Sequence, residues 1–125
     1  MTAAADSDGL HLLVADSKNA YVWKTAAVLS EPQLPADTWI GNQCVMDDQH
    51  AALVYAPRTF TNKPDLMMGG AFTAIVNLDN GSVTKLPFTA SLAYFDPTCN
   101  PATHTAVFTA LRDAKTRLVT VDTKG

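Results

Sequence analysis

Long hydrophobic runs, basic patches and paired metal-binding cysteines are all missing from this sequence. No apolar run reaches the length of a membrane span, which argues against membrane insertion. Positive charge is nowhere concentrated and the net charge is −3, so nucleic acid is not expected as a partner. No Cys-x-x-Cys pair occurs, and no histidine lies at a usual zinc spacing from either cysteine. We therefore predict no metal site.

Signatures of catalysis and export are missing as well. The Gly-x-Ser-x-Gly elbow of many hydrolases does not occur. Asp6 and Asp8 lack the later acidic ligands of a calcium loop, and the adjacent Asp47 and Asp48 are best explained by turn chemistry and solvated charge. No basic segment followed by an apolar stretch opens the chain, so a secretory signal of an exported parent protein would lie upstream or have been removed. We predict no catalytic residue.

Short β-strand patterns separated by turn residues run along the chain. With 125 residues, 47% of them hydrophobic, the sequence can form one domain with a buried core. No segment shows helical periodicity over ten or more residues. Residues 57–70, with two prolines and a Gly-Gly pair, are expected to form an extended loop, and Asp79-Asn80-Gly81 a tight hairpin turn. Strands are expected near residues 10–15, 20–23, 26–29, 38–41, 51–56, 72–78, 82–86, 92–95, 105–111 and 116–121.

A pattern that occurs twice suggests stacked copies of one unit. Residues 27–44 overlay on residues 82–99 without a gap, and each segment ends in a cysteine five residues after an aromatic. His50 and His104 then open matching strands. The unit of roughly 43 to 55 residues is typical of a four-stranded blade of a β-propeller.

The expected fold is therefore all-β, with antiparallel four-stranded propeller blades in a partial array of about two and a half blades. An incomplete blade is expected over about residues 9–30, a complete blade over about 38–88, and an incomplete blade over about 91–125. Because so few blades cannot close a ring, the chain is expected to be a fragment of a longer array. The alternative is an independent all-β sandwich whose similar segments are coincidental.

Three segments carry a resemblance to a known class of repeats. Residues 91–99, 105–109 and 118–125 resemble the β-propeller repeats of large exported actinobacterial proteins, and more loosely those of quinoprotein-type and YVTN-type propellers. The resemblance implies a propeller fold and a secreted or cell-surface location. It carries over no catalytic residue, and the tryptophan and glycine signatures of cofactor-binding quinoproteins are not evident, so no cofactor is expected.

Cys44 and Cys99 are candidates for a disulfide, because two cysteines in a strand-rich chain of exported origin commonly pair. A geometric objection stands against the pair. Equivalent positions of neighbouring blades come close only near the ring axis, whereas a disulfide needs Cα atoms within about 7 Å. A partner cysteine on another blade and two buried thiols are the alternatives.

Two groups of residues are candidates for ligand contacts. The segment around residues 57–70 is the largest difference between the copies, and insertions on a repeat scaffold often lie on the binding face. The alternative is a surface segment folded against its own blade. Trp39 and Tyr94 are expected to pack between blades, and the alternative is a sugar-stacking platform. The candidate loop residues are Phe60, Asn62, Lys63, Asp65, Met67 and Met68.

The expected function is that of a non-catalytic binding or scaffold module from an exported bacterial propeller protein. Its expected partners are the remaining blades of the same protein and a protein or carbohydrate ligand. One alternative is a propeller hydrolase or lyase whose catalytic groups lie on other blades. Another is a structural spacer. His50 and His104 are expected to serve the architecture, for example by bonding a neighbouring turn, since catalytic residues normally occur once per site.

Overall fold

Antiparallel strands make up most of the computed structural model, which describes residues 2–4, 8–15, 24–31, 38–92, 96–112 and 115–125. Alternating side chains and short turns account for this, because each strand can then bury one or both of its faces. The described strands are β1 Thr2–Ala4, β2 Leu10–Val14, β3 Lys24–Leu29, β4 Trp39–Asp47, β5 His50–Pro57, β6 Ala71–Asn77, β7 Val83–Ala90, β8 Thr98–Asn100, β9 Thr105–Arg112 and β10 Lys115–Val121.

The strands form three antiparallel sheets, each with its strands in chain order. The N-terminal sheet has the order β1-β2-β3, the central sheet β4-β5-β6-β7, and the C-terminal sheet β8-β9-β10. The all-β class is thus confirmed. Among the described residues these sheets are open, and no closed barrel or ring is present. The N-terminal sheet begins before the first predicted blade, because β1 precedes residue 9.

The central sheet buries both of its faces. On β5, Leu53 and Tyr55 pack with Leu10 and Leu12 of the N-terminal sheet. The alternate residues of β5 pack instead with the C-terminal sheet, for example Val54 in one cluster with Phe108. Strands that are apolar at every position are typical of a sheet covered on both sides. The described part of the fold is therefore three stacked layers, with the central sheet in the middle.

Gly41 lies where the N-terminal sheet packs closely on strand β4. A Cβ on Gly41 of β4 would lie 2.7 Å from the Leu10 Cδ2 atom and would also clash with the backbone of Val54. Because backbone atoms cannot move aside as a flexible side chain can, only glycine lets the N-terminal sheet pack this closely on β4.

The expected hairpin turn between β6 and β7 is present. Gly81 has a φ of +75°, a conformation that glycine adopts without strain. The Asn77 side chain accepts a hydrogen bond from the backbone N–H of Asp79 at 2.9 Å. Pro87 was expected to end the returning strand but lies inside β7. Proline is tolerated there because β7 is the edge strand of its sheet and needs ladder bonds on one side only.

The prediction of an extended loop over residues 57–70 is wrong. The segment folds as a 3₁₀ turn, Arg58–Asn62, followed by a short helix, α1, Pro64–Gly69. Pro64 stands at the start of the helix, where its missing N–H costs nothing. Phe60 anchors the segment in the core between the central and C-terminal sheets. The helix is too short to show an amphipathic period, which is why periodicity did not predict it.

Candidate functional site

The turn between β4 and β5 is organised by the carboxylate of Asp47. Asp47 ends β4, and His50 begins β5 after the two turn residues Asp48 and Gln49. The Asp47 Oδ1 atom accepts a hydrogen bond from the Gln49 backbone N–H at 2.8 Å. The same atom lies 2.8 Å from His50 Nδ1. Aspartate favours such turns because its side chain can accept from the backbone two residues further on.

The neighbouring turn between β8 and β9 meets the same carboxylate. His104 closes this turn with a φ of 56°, in the left-handed region that a non-glycine residue rarely adopts. Its Nδ1 atom lies 3.1 Å from Asp47 Oδ2. Both carboxylate oxygens of Asp47 are therefore engaged by histidines, one from its own hairpin and one from the C-terminal sheet. This arrangement agrees with the architectural role expected for the repeated histidines.

The charge state of Asp47 follows from these contacts. Desolvation acts to raise the pKa of the carboxyl group, but the hydrogen bonds from Gln49, His50 and His104 outweigh it and hold the pKa below its usual value. Asp47 is therefore ionised at neutral pH and can only accept hydrogen bonds. Each histidine must then donate from Nδ1, which leaves Nε2 as the ring atom that faces other partners.

A disulfide joins the two strands that carry these turns. Cys44 of β4 and Cys99 of β8 are bonded, with their Cα atoms 5.7 Å apart. The candidate disulfide is confirmed, and the two alternatives, a partner cysteine on another blade and two buried thiols, are excluded. Cys44 lies beyond the strand expected near residues 38–41, because β4 extends to Asp47 and is longer than predicted.

The geometric objection to this bond is answered by the direction of the two side chains. Both cysteines pack in the apolar cluster between the central and C-terminal sheets, so they point toward each other. Cys44 pairs with Ala52 on β5 and Cys99 pairs with Ala106 on β9, so the two cysteines hold matching positions in their hairpins. Ala52 and Ala106 also lie in this cluster, so the two sheets meet through matching faces, and this brings the cysteines together.

An open cleft of about 350 Å³ lies across the two turns. It is lined by Asp47, Asp48, Gln49, Pro101 and His104. The Asp48 carboxylate, the Gln49 amide and the His104 imidazole offer acceptors and donors, and the proline ring offers an apolar surface. Asp48, Gln49 and His104 are exposed, whereas Asp47 is half-buried beneath them. The cleft thus offers both polar groups and apolar surface, and the two turns beneath it are held together by a disulfide and by the hydrogen bonds of Asp47 with His50 and His104.

The other sequence-predicted candidates that the structure describes lie away from this cleft. Trp39 is 2% exposed and packs beside Tyr55 with ring centroids 6.3 Å apart, so it offers no surface for stacking. Tyr94 lies outside the described residues. Phe60 is buried, Asn62 and Lys63 are exposed, and Met67 and Met68 are half-buried; Asp65 belongs to α1. The Met67 carbonyl accepts a hydrogen bond from the Leu92 N–H at 2.8 Å, so this segment packs against its own protein.

The hydrogen bonds of Asp47 to histidines of two different sheets were not predicted. Its turn chemistry was recognisable, since an aspartate before a two-residue turn is common. The recurrence of histidine after two successive turns was the available signal for the rest. That both histidines reach one carboxylate depends on how the sheets stack, which a single sequence does not reveal.

Comparison with family models, with curated proteins and with solved structures finds no match for this chain. No helix among the described residues is long and apolar enough to cross a membrane. Within the same residues, no group of three histidine, cysteine, aspartate or glutamate side chains is placed to hold a metal ion.

Proposed function

We propose that this chain is a non-catalytic binding module, built of propeller-like blades of an exported protein, and that it binds a carbohydrate in the cleft between the β4–β5 and β8–β9 turns. The observation that carries the proposal is the position of the cleft. It lies across two turns whose strands are already linked by the Cys44–Cys99 disulfide. A site preorganised in this way loses little conformational freedom when a ligand binds.

The chemistry of the cleft favours a polyhydroxylated ligand. Neighbouring hydroxyl groups of a sugar can donate to the Asp48 carboxylate and accept from the Gln49 amide, while C–H groups of the ring rest on Pro101. A protein ligand would call for a larger apolar centre with aromatic anchors, which these lining residues do not provide. Catalysis is not favoured, because the lining residues include no serine, cysteine or lysine nucleophile and both oxygens of Asp47 are engaged.

Two features support the propeller-like and exported parts of the proposal. The three sheets keep their strands in chain order and stack face to face, as blades do, and the central one has the four strands of a complete blade. Disulfides persist in oxidising compartments, which fits an exported protein.

The reading frames that flank this segment in the parent gene test whether it belongs to a longer array of blades. Further copies would support it and their absence would contradict it.

Binding can be tested by NMR titration of the chain with a panel of mono- and oligosaccharides. We expect shifts of the backbone amides of the two turns, and at least about tenfold weaker binding by Asp48→Ala and Gln49→Ala. Both side chains are exposed, and the structural hydrogen bond of Gln49 uses its backbone, so the fold should survive. Asp79→Ala is a matched control, because it removes an exposed turn carboxylate outside the cleft lining. Saccharide binding that Asp48→Ala leaves unchanged would refute the site.

A further inference from the structure

The imidazole of His104 has its proton placed by the carboxylate of Asp47. Because that carboxylate is ionised at neutral pH, it accepts hydrogen bonds and donates none. The Nδ1 atom of His104 lies 3.1 Å from Asp47 Oδ2 and therefore carries the proton of this bond. A neutral imidazole has a proton on one ring nitrogen, so the other nitrogen of His104, Nε2, is a hydrogen-bond acceptor.

Acceptors from both turns meet a ligand in the cleft. His104 lines the cleft from the β8–β9 turn and its side chain is 60% exposed, so Nε2 is open to a ligand. Asp48 lines the cleft from the β4–β5 turn and is exposed as well. An ionised carboxylate has only acceptor oxygens. The ligand that fits best therefore offers hydrogen-bond donors to both walls.

Negative charge dominates the cleft. Its lining includes the carboxylates of Asp47 and Asp48, and no lysine or arginine is among the described lining residues. The charge of Asp47 is half-buried and already engaged by its hydrogen-bond donors, whereas Asp48 is exposed. His50, the other titratable group at this turn, directs Nδ1 toward Asp47 Oδ1. The field of the cleft thus favours a cationic ligand.

Carbohydrates differ in how well they meet these two demands. The carboxylate of a sugar acid would bring a second acceptor and a like charge against Asp48. A hydroxyl group of a neutral sugar offers one donor and no charge. A protonated amine offers three N–H donors and a positive charge, so it can donate to acceptors of both turns.

We propose that the cleft binds an amino sugar, a carbohydrate with a free protonated amine, and that its ammonium group lies between the Asp48 carboxylate and Nε2 of His104. This inference rests on the carbohydrate site of the proposed function and names its ligand class. The ring of the sugar then lies toward Pro101, and its hydroxyl groups meet the Gln49 amide.

The test compares D-glucosamine, D-glucose and N-acetyl-D-glucosamine in NMR titrations of the ¹⁵N-labelled full chain at pH 7. These sugars share one ring and carry an ammonium, a hydroxyl and a neutral amide at the same carbon. We expect glucosamine to bind about fivefold more tightly than the other two, as one exposed charge pair allows. The preference should shrink at high salt, because salt screens exposed charges.

Two variants assign the preference to the two acceptors. Asp48→Asn removes the charge at nearly constant size and should abolish most of the preference. His104→Asn should reduce it about twofold, and asparagine tolerates the left-handed backbone at this position, where φ is 56°. The readout is the ratio of the glucosamine and glucose affinities, since damage to a turn would weaken both sugars alike. Asp79→Ala, which removes an exposed carboxylate outside the cleft lining, should leave this ratio unchanged.

The outcomes separate this inference from the proposed function. Equal affinities for the three sugars would overturn the amino-sugar inference and leave the carbohydrate site standing. If no sugar, glucosamine included, shifts the amides of the two turns, both are wrong. Methylammonium carries the charge without the ring and should bind more weakly than glucosamine. Equally tight binding of methylammonium, or an unchanged ratio in Asp48→Asn, would also overturn the inference.

Discussion

Removal of the Cys44–Cys99 disulfide should strongly destabilise this fold. The bond connects residues 55 apart in the sequence. In the chain-entropy model, a closed loop of this length restricts the unfolded state by about 14 cal/mol/K, which corresponds to about 4 kcal/mol at 25 °C. The other described link between these turns, from Asp47 to the 60% exposed His104, should contribute only about 0.2–1 kcal/mol as an exposed pair.

The assay is urea unfolding of Cys44→Ala/Cys99→Ala beside the oxidised parent chain. With a slope of about 2 kcal/mol per M, we expect the midpoint to fall by about 2 M. The melting temperature should fall by roughly 15 °C. The slope itself should rise, because an unfolded chain without the cross-link exposes more surface. Should the variant be unfolded in buffer alone, trimethylamine oxide can restore the folded state and allow the same comparison.

The reduced parent chain is the matched control, because it keeps both sulfur atoms in place and loses only the bond. If loop closure is the source of the stability, the reduced chain and the double alanine variant should lose similar amounts. A loss below about 1 kcal/mol in both would refute the reasoning. A large loss in the alanine variant alone would assign the effect to packing of the side chains in the core.

Three further predictions concern single residues. Burial raises the pKa of Asp96 to about 6, although the hydrogen bonds from Thr109 lower it. The free energy of unfolding should therefore fall by on the order of 2 kcal/mol as the pH rises from about 4 to about 6, and then stay level. Asp96→Asn should abolish this dependence in melting curves, and a variant with an unchanged pH profile would contradict the assignment. Desolvation acts to raise the pKa of Asp47, but its hydrogen bonds hold the pKa below the usual value. The ionised carboxylate therefore stabilises the fold above about pH 4, and this stabilisation is lost in more acidic solution. Asp47→Asn should therefore flatten the acid limb of the melting-temperature profile, and an equally steep limb would count against the network. Gly41→Ala should destabilise the fold by about 1–3 kcal/mol in urea unfolding through overpacking against Leu10, whereas a neutral result would mean that the sheets can move apart.

Local features of this fold could be predicted because they depend on neighbouring residues. The turn after β6 follows from Asn80 and Gly81, whose tolerance of positive φ is a property of the residues themselves. The strand β9 follows from its mostly apolar run, which includes the strand-favouring residues Val107 and Phe108, and it was expected within one residue of its observed end. Residues 57–70 escaped prediction because the burial of Phe60 against other sheets, a contact distant in sequence, favours compact turns there.

The candidate site depended on contacts distant in sequence as well. The disulfide was one of several alternatives, and the convergence of His50 and His104 on Asp47 was not predicted.

The all-β class, the positions of several strands and turns and the composition of the core were thus specified by the order of residues alone, since alternation and turn propensity act over a few neighbours. The stacking of the three sheets decided which faces meet, that Cys44 points at Cys99, and which polar groups line the cleft. The reason is that a strand apolar on both faces, such as β5, has no local preference for either neighbour. Moreover, a shift of one residue in register reverses every side chain, so only packing against the other sheets selects the arrangement.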